Sequence, residues 1–399
     1  MLLVPADLRI DVRWILPMTA RDVVLEQHSL LVRDGRILDI LPTQRAAERY
    51  AAGVILNRPS HLLMPGMVNA DACARQNTGA DVLLAIAHML KAGITSFAAR
   101  YFAPPAAARA AQDQGIRVVV GMPVAELATP WAANAAEYFS RALALRDEYR
   151  GHPLVSTAFA PLDANRLREA TFSKLITLAD ELDAGITLEV NRGASDVLEC
   201  EALHGVRPMR RLWNLGLLTP AFNAVHMAVA NEEDVDLAQR TGMSITLCPQ
   251  MDLYSGCGLP PAAAFATAGI RLGIGSANTG RLGYDIWGEM RLLALMMQSA
   301  NLGGQPWSAW DAAAAATRGG AAILGLDADV GILQAGKWAD LCCVEFGDDL
   351  DCATDALHAL VFRGSRDIVT DVWVAGRQLL SQRELTRLDW SALTAGVSK

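Results

Sequence analysis

The chain has 399 residues, of which 52% are hydrophobic and 20% are charged, and its formal net charge is -8 at pH 7. This length and apolar fraction suffice for one large globular domain or for two domains of ordinary size. Because the negative charge is spread along the chain without basic clusters, we expect neither nucleic acid nor an anionic lipid surface as a partner.

The environment of the protein is indicated by its cysteines and its apolar runs. The seven cysteines are odd in number and scattered, without a CxxC pair, which is not the pattern of a disulfide framework or a zinc ribbon. No run of residues approaches the roughly 18 uncharged apolar residues of a membrane helix, and the first ten residues lack the basic start of a secretory leader. We therefore expect a cytoplasmic protein in a reducing compartment, with no membrane partner.

The first part of the chain is predicted to form short strands and turns. Asp7–Ile15, Ser29–Asp34 and Arg36–Leu41 have strand patterns. The Asp34-Gly35 pair between the second and third of these is typical of a tight hairpin turn.

From Leu63 onward, apolar strand patterns alternate with helix patterns. The predicted strands are Leu63–Val68, Thr95–Ala98, Arg117–Met122, Leu154–Ala160, Thr187–Val190, Ala221–Val225, Ser244–Cys248 and Arg271–Ile274. The predicted helices are Asp81–Ala92, Ala103–Gln114, Trp131–Arg150, Leu167–Leu182, Val206–Leu215, Glu232–Thr241 and Pro261–Ala268. Alternation of this kind favours a parallel (β/α)8 barrel.

The last part of the chain returns to strand patterns, with a strand after Ala339 and a hairpin-like segment at Ile368–Leu380. We therefore predict an α/β fold made of two domains. A TIM-like barrel is expected over residues 61–330. A small composite β-sandwich domain is expected from residues 1–60 and 331–399 together.

One polar segment stands out at the start of the predicted barrel, LMPGMVNADAC at Leu63–Cys73. Alternate side chains of a strand point to the same face, so Asp71 and Cys73 converge on one point. The seven histidines of the chain contain no HxH, HExxH or HxxE arrangement, whereas a catalytic zinc normally takes three or more protein ligands from His, Cys, Asp or Glu.

Several segments together resemble the amidohydrolase superfamily, in particular its branch of cytosine deaminases, methylthioadenosine/S-adenosylhomocysteine deaminases and triazine hydrolases. Besides LMPGMVNADAC, they are KAGITSF at Lys91–Phe97, FNAVHMAVANEED at Phe222–Asp234, ITLCPQ at Ile245–Gln250, GIRLGIGSANTGRLGYDIWGEMR at Gly269–Arg291 and GILQAGKWADL at Gly331–Leu341. The resemblance implies a barrel with a small β domain. It also implies a hydrolytic site with one Zn or Fe ion at the barrel mouth.

The residues that hold the metal in that family are replaced in this chain. Alignment on the family's motifs places Asp71 and Cys73 at the HxH pair after the first strand, Glu189 at the ligand histidine after the fifth, and Ala277 at the ligand aspartate after the eighth. Arg192 falls at the family's proton-transferring glutamate. Of the family's site residues, only the histidine after the sixth strand is matched, by His226.

From these replacements we expect a protein that has lost the family's metal ligands, binds no metal cofactor and is not a working metal-dependent deaminase. It would be a pseudoenzyme, a binding or partner subunit, or a structural member of an oligomer: a homodimer, or a hetero-oligomer with an intact homologue. Its ligand would be a small heterocycle, contacted by Asp71, Arg100, Glu189 and Asn278. We further hypothesise that Arg100 and Arg192 neutralise the two carboxylates, with Arg192 in the cavity that a metal would fill.

The alternative is an enzyme that hydrolyses C–N bonds of purine- or pyrimidine-like rings. One form of it uses a remodelled metal set of Asp71, Cys73, Glu189 and His226. The other uses no metal and relies on Asp71, Cys73, Glu189, Arg192 and His226, of which His226, Arg192 and Cys73 would be the catalytic groups. In its sharpest form, Cys73 and His226 are a nucleophile pair that Asp71 orients.

Overall fold

The computed structural model describes residues 3–73, 79–100, 103–277, 283–300, 307–346 and 353–395. Within these ranges the strands are β1 (Val4–Ile15), β2 (Leu25–Arg33), β3 (Arg36–Pro42), β4 (Tyr50–Pro65), β5 (Met67–Ala72), β6 (Ile94–Ala99), β7 (Arg117–Val124), β8 (Val155–Pro161), β9 (Ile186–Val190), β10 (Phe222–His226), β11 (Ser244–Leu247), β12 (Arg271–Ile274), β13 (Leu341–Glu345), β14 (Val369–Val374), β15 (Arg377–Ser381) and β16 (Glu384–Leu385).

The helices in the same ranges are α1 (Thr43–Arg49), α2 (Gly79–Lys91), α3 (Pro104–Gln114), α4 (Ala135–Glu148), α5 (Glu169–Leu182), α6 (Ala194–His204), α7 (Pro208–Asn214), α8 (Glu232–Thr241), α9 (Pro249–Tyr254), α10 (Ala262–Thr267), α11 (Ile286–Ser299), α12 (Ala309–Ala314), α13 (Gly320–Ile323), α14 (Ala353–Phe362) and α15 (Trp390–Ala395). A π-helical stretch, Ala315–Gly319, joins α12 to α13. None of the described helices is both long enough and apolar enough to cross a bilayer.

The barrel consists of eight strands in sequence order, β5 to β12, with parallel pairing between neighbours. The chain that follows β12 also contacts the end of β5. There, the backbone N–H of Ala277 donates to the backbone oxygen of Asp71 at 2.9 Å. The helices that follow the strands pack on the outside through an apolar core of mostly Ala, Val, Leu, Ile, Met and Phe. The predicted α/β barrel is confirmed.

The composite β domain is also confirmed. Its strands form one eight-stranded sheet in the order β16-β15-β14-β13-β4-β1-β2-β3, so strands from the two ends of the chain are bonded into one sheet. The join is the antiparallel pairing of β4 with β13. The predicted turn at Asp34-Gly35 has both residues at positive φ, and a Cβ on Gly35 would lie 2.6 Å from the backbone oxygen of Ala375, so only glycine fits there.

The segment predicted as the first barrel strand, Leu63–Val68, is divided between the two domains. Its first part belongs to β4 of the terminal sheet, and β5 of the barrel begins at Met67. The chain changes sheets at Gly66, where a Cβ would lie 2.1 Å from the side chain of Thr95. Hydrophobic pattern alone does not reveal this break, because both parts are fully buried.

A buried ion pair links the amino end of the barrel to the terminal sheet. Arg117, the first residue of β7, donates to Asp340 through Nε at 2.9 Å and Nη2 at 3.1 Å. Asp340 precedes β13, and its Oδ1 also accepts from the backbone N–H of Ala375 at 2.7 Å. Both side chains are nearly inaccessible. The pair therefore ties three segments of the chain together.

We predict that Arg117→Ala lowers the free energy of unfolding by about 3–5 kcal/mol, because it leaves the Asp340 carboxylate buried without its cation. Urea denaturation measures the change. The matched control is Arg150→Ala, which removes an exposed arginine paired with Asp147 and should cost less than about 1 kcal/mol. Equal losses of free energy of unfolding in the two variants would show that the buried Arg117 ion pair contributes no more to stability than the exposed Arg150 pair.

Candidate active site

Four of the candidate residues lie at the carboxyl ends of the barrel strands. Asp71 is near the end of β5, Glu189 lies in β9 and His226 ends β10, while Arg100 directly follows β6. The strands of the barrel are parallel, so these ends meet at one mouth. The fold thus assembles side chains that are far apart in the sequence.

Arg100 lies between the two carboxylates of this group. Its Nε donates to Asp71 Oδ1 at 2.5 Å and its Nη2 to Asp71 Oδ2 at 2.7 Å, and the same Nη2 lies 2.8 Å from Glu189 Oε1. The side chains of Asp71 and Arg100 are 0% and 2% exposed. Burial alone would lower the pKa of Arg100, but Asp71 and Glu189 outweigh it and raise that pKa well above its usual value. Arg100 is a permanent buried cation.

His226 extends the chain of charges beyond Glu189. Its Nε2 lies 3.3 Å from Glu189 Oε1, and its Nδ1 lies 2.6 Å from Asp252 Oδ1. Both ring nitrogens therefore face carboxylate oxygens, an arrangement that suits the doubly protonated imidazolium. Burial would lower the pKa of His226, but the hydrogen bonds to Asp252 and Glu189 outweigh it and raise the pKa to about 9.

Glu189 is the carboxylate at the centre of these contacts. Burial would raise its pKa, but Arg100 and then His226 and Arg192 outweigh it and hold the pKa well below its usual value. The Glu189 side chain is 22% exposed, whereas those of His226 and Asp252 are 0% exposed. Of these three groups, Glu189 is the one that a ligand in the mouth can touch.

Asp252 was not found from the sequence. It lies on α9, the short helix after β11, and its side chain is fully buried against His226. The available clue was a carboxylate close to the end of a barrel strand, but 26 residues separate Asp252 from His226 along the chain. Such a pairing depends on the folded loop geometry.

Arg192 lies at the rim of the site. Its Nη1 is 3.7 Å from Glu189 Oε2, its Nη2 is 3.4 Å from Ser255 Oγ, and its side chain is 34% exposed. The cation that lies between Asp71 and Glu189 is therefore Arg100, which differs from our hypothesis that Arg192 fills this cavity. Arg192 closes the outer side of Glu189 and faces the solvent.

The remaining predicted site residues have different surroundings. Cys73 is 4% exposed, and burial, reinforced by Asp71, raises the pKa of its thiol well above the usual value. The thiol is therefore protonated at neutral pH, and it makes no hydrogen bond to His226 in the described structure, so this geometry does not favour a nucleophile pair. Ala277 contacts Asp71 through its backbone N–H. Asn278 lies outside the described residues.

The side chains at the mouth do not fit a metal ion as they are arranged. No group of three or more His, Cys, Asp or Glu in the described ranges could hold one. In addition, the oxygens of Asp71 and Glu189 are bonded to the Arg100 guanidinium. A cationic side chain adjacent to both carboxylates repels a divalent cation and occupies the space it would need.

Comparison with known proteins gives the chain its relatives. A profile described as "Amidohydrolase family" matches residues 60–379. The chain is 30% identical to a 5-methylthioadenosine/S-adenosylhomocysteine deaminase of Teredinibacter turnerae, over 98% of this chain and 96% of that protein. It is also 30% identical to the deaminase of the same name in Saccharophagus degradans, over 96% and 94% of the two chains.

Solved structures agree with this relationship. An adenosine deaminase from Xanthomonas campestris, crystallised with bound zinc, superposes with a TM-score of 0.93 at 33% identity and covers 100% of this chain and 98% of its own. An atrazine chlorohydrolase from Arthrobacter aurescens, complexed with zinc, gives a TM-score of 0.85 at 21% identity, over 98% and 99% of the two chains. The second likeness concerns the fold alone.

These full-length likenesses correct our main functional expectation. We expected a pseudoenzyme, a binding subunit or a partner subunit, because the family's metal ligands are replaced. The relatives that match the whole chain are named as deaminases, and they favour the alternative that we set beside it, a hydrolase of C–N bonds. By sequence and by structure, the chain belongs to the amidohydrolase family.

Proposed function

We propose that this protein is a hydrolase that removes the amino group from an aminopurine-like ring. Its full-length relatives at 30% identity are named for deamination of adenine-containing compounds. The observation that carries the proposal is the Glu189 carboxylate, which lies at the barrel mouth, is 22% exposed and is held from behind by Arg100 and His226. A carboxylate fixed in this way can transfer protons to and from a bound ring.

In the proposed reaction, a water molecule attacks the ring carbon that carries the amino group. Glu189 accepts a proton from that water as the C–O bond forms and delivers it to a ring nitrogen. It then accepts the remaining proton of the new hydroxyl group and delivers it to the departing amino group. The C–N bond breaks, ammonia leaves, and the ring carbon becomes a carbonyl. Water and the amino compound are thus converted to the oxo compound and ammonia, with no oxidant or reductant.

The neighbours of Glu189 determine how well it performs each half of this transfer. Arg100, His226 and Arg192 lower its pKa, which makes proton uptake from water the harder step and proton release the easier one. His226 and Asp252 are fully buried, so we assign them to positioning: they fix the carboxylate and stabilise its charge. Arg192, at the rim, is placed to contact a polar group of the ligand.

We predict that the purified full-length chain releases ammonia from at least one of adenosine, 5′-methylthioadenosine and S-adenosylhomocysteine. Glu189→Gln should lower kcat by about 10²- to 10⁴-fold, because the amide keeps the shape of the side chain but cannot accept the proton. A coupled ammonia assay and chromatography of the oxo product measure both.

The matched control is Glu148→Gln, the same change on an exposed residue at the end of α4, near the opposite end of the barrel. It should leave kcat unchanged. The assays are run with a chelator and separately with added zinc. If none of the three compounds is deaminated in either condition, the proposal is wrong.

The raised pKa of His226 predicts a pH dependence of stability. An unfolded histidine titrates near pH 6.5, and the folded pKa is about 9. The stabilisation from the charged ring is therefore fully present below about pH 6.5 and is lost as the pH rises through about 9, on the order of 3 kcal/mol in all.

Urea unfolding of the wild type and of His226→Gln, from about pH 6 to about pH 10, measures this effect. The difference in free energy of unfolding between the two proteins should shrink across that range, since other titrating groups are common to both. Parallel curves would show that His226 is not held as an imidazolium.

A further inference from the structure

We propose that Arg100 is the resident cation of this barrel mouth, and that its guanidinium keeps a divalent metal away from Asp71 and Glu189. Removing it would leave these two carboxylates free to bind a zinc ion in its place. The inference concerns the binding properties of the centre and does not depend on the proposed reaction.

The first step of the argument is the convergence of the two carboxylates on a single atom. Arg100 Nη2 lies 2.7 Å from Asp71 Oδ2 and 2.8 Å from Glu189 Oε1. A cation centred near that nitrogen would be close to both oxygens. Zinc–oxygen bonds are about 2.0–2.2 Å long, so each carboxylate needs to move by less than about 1 Å to coordinate a metal there.

The second step is the histidine that contacts Glu189. His226 Nε2 is 3.3 Å from Glu189 Oε1, on the side away from Asp252. Its Nδ1 is fixed by Asp252 at 2.6 Å. Nε2 can serve as a metal ligand only after the metal displaces its proton, and the bond from Nδ1 to Asp252 orients the ring and raises its basicity for that role.

The third step is that the backbone does not need Arg100's side chain to hold its shape. The backbone N–H of Arg100 donates to the backbone oxygen of Ala72 at 2.9 Å, and that of Ala277 donates to Asp71. These bonds keep the ends of β5, β6 and β12 together after truncation of the side chain. What truncation removes is the positive charge between two carboxylates, which then require another cation.

The test compares zinc binding to Arg100→Ala and to the wild type, by isothermal titration and by metal analysis after dialysis. We expect the variant to retain one equivalent of zinc more than the wild type. Zinc should also raise the Tm of the variant by several degrees while leaving that of the wild type unchanged, because the ion binds the folded form.

Two control variants locate the effect. Arg192→Ala removes the rim arginine and should bind no additional zinc. The double variant Asp71→Asn/Arg100→Ala should lose the equivalent gained by Arg100→Ala, since a carboxamide is a far poorer ligand than a carboxylate. Zinc held by surface residues is common to all four proteins and cancels in the comparison.

Three results would overturn the proposal. One is a wild type that retains an equivalent of zinc which Asp71→Asn abolishes. Another is an Arg100→Ala protein that folds but binds no more zinc than the wild type. The third is an Arg100→Ala protein that is not recovered as soluble, folded material even when it is refolded with zinc. Failure of the deamination assay leaves these measurements unaffected, so the two proposals fail separately.

Discussion

The barrel mouth depends on one interaction, the pairing of the Arg100 guanidinium with Asp71 and Glu189. Two buried carboxylates close to one another would repel and would be costly to desolvate, so neither could remain ionised without a cation between them. The planar fork of arginine meets Asp71 through two nitrogens and still reaches Glu189. One side chain thus joins β5, β6 and β9, which contribute to the mouth from separate parts of the sequence.

Positive and negative side chains alternate through the site, starting from Asp71, Arg100 and Glu189. Asp71, Glu189 and Asp252 carry negative charge, while Arg100, His226 and Arg192 carry positive charge, and each contact in the series joins opposite signs. The group as a whole is close to neutral. Such a centre has little field to attract a charged ligand, and its local dipoles suit an uncharged polar ring of the kind that the proposed reaction requires.

The sequence was sufficient for the barrel but only for part of the site. Glu232–Thr241 and Arg271–Ile274 were predicted with their observed ends, because a capping residue or a strong apolar run marks them. Helix α6 was missed, since its apolar residues do not form a distinct face. The sequence predicts that an arginine pairs with Asp71 and Glu189, because the strand ends that carry these residues meet at the barrel mouth. Whether Arg100 or Arg192 lies between the two carboxylates depends on how far each side chain reaches, and the spacing of residues in the sequence does not contain that information.

Because ion pairs join these side chains to one another, the centre is a single unit rather than a set of separable residues. Loss of Asp71 leaves Arg100 with Glu189 alone, and loss of Glu189 removes the contact that joins the arginine to His226. Substitutions in such a network are not additive, because each one changes the charge that its neighbours face. A metal centre that exchanged its ligands one at a time would pass through states with buried unpaired charge. In our proposal, replacement of the metal by Arg100 therefore requires the carboxylates and the guanidinium together. Glu189, the accessible member, takes its charge state first from the buried side chains of Arg100 and His226.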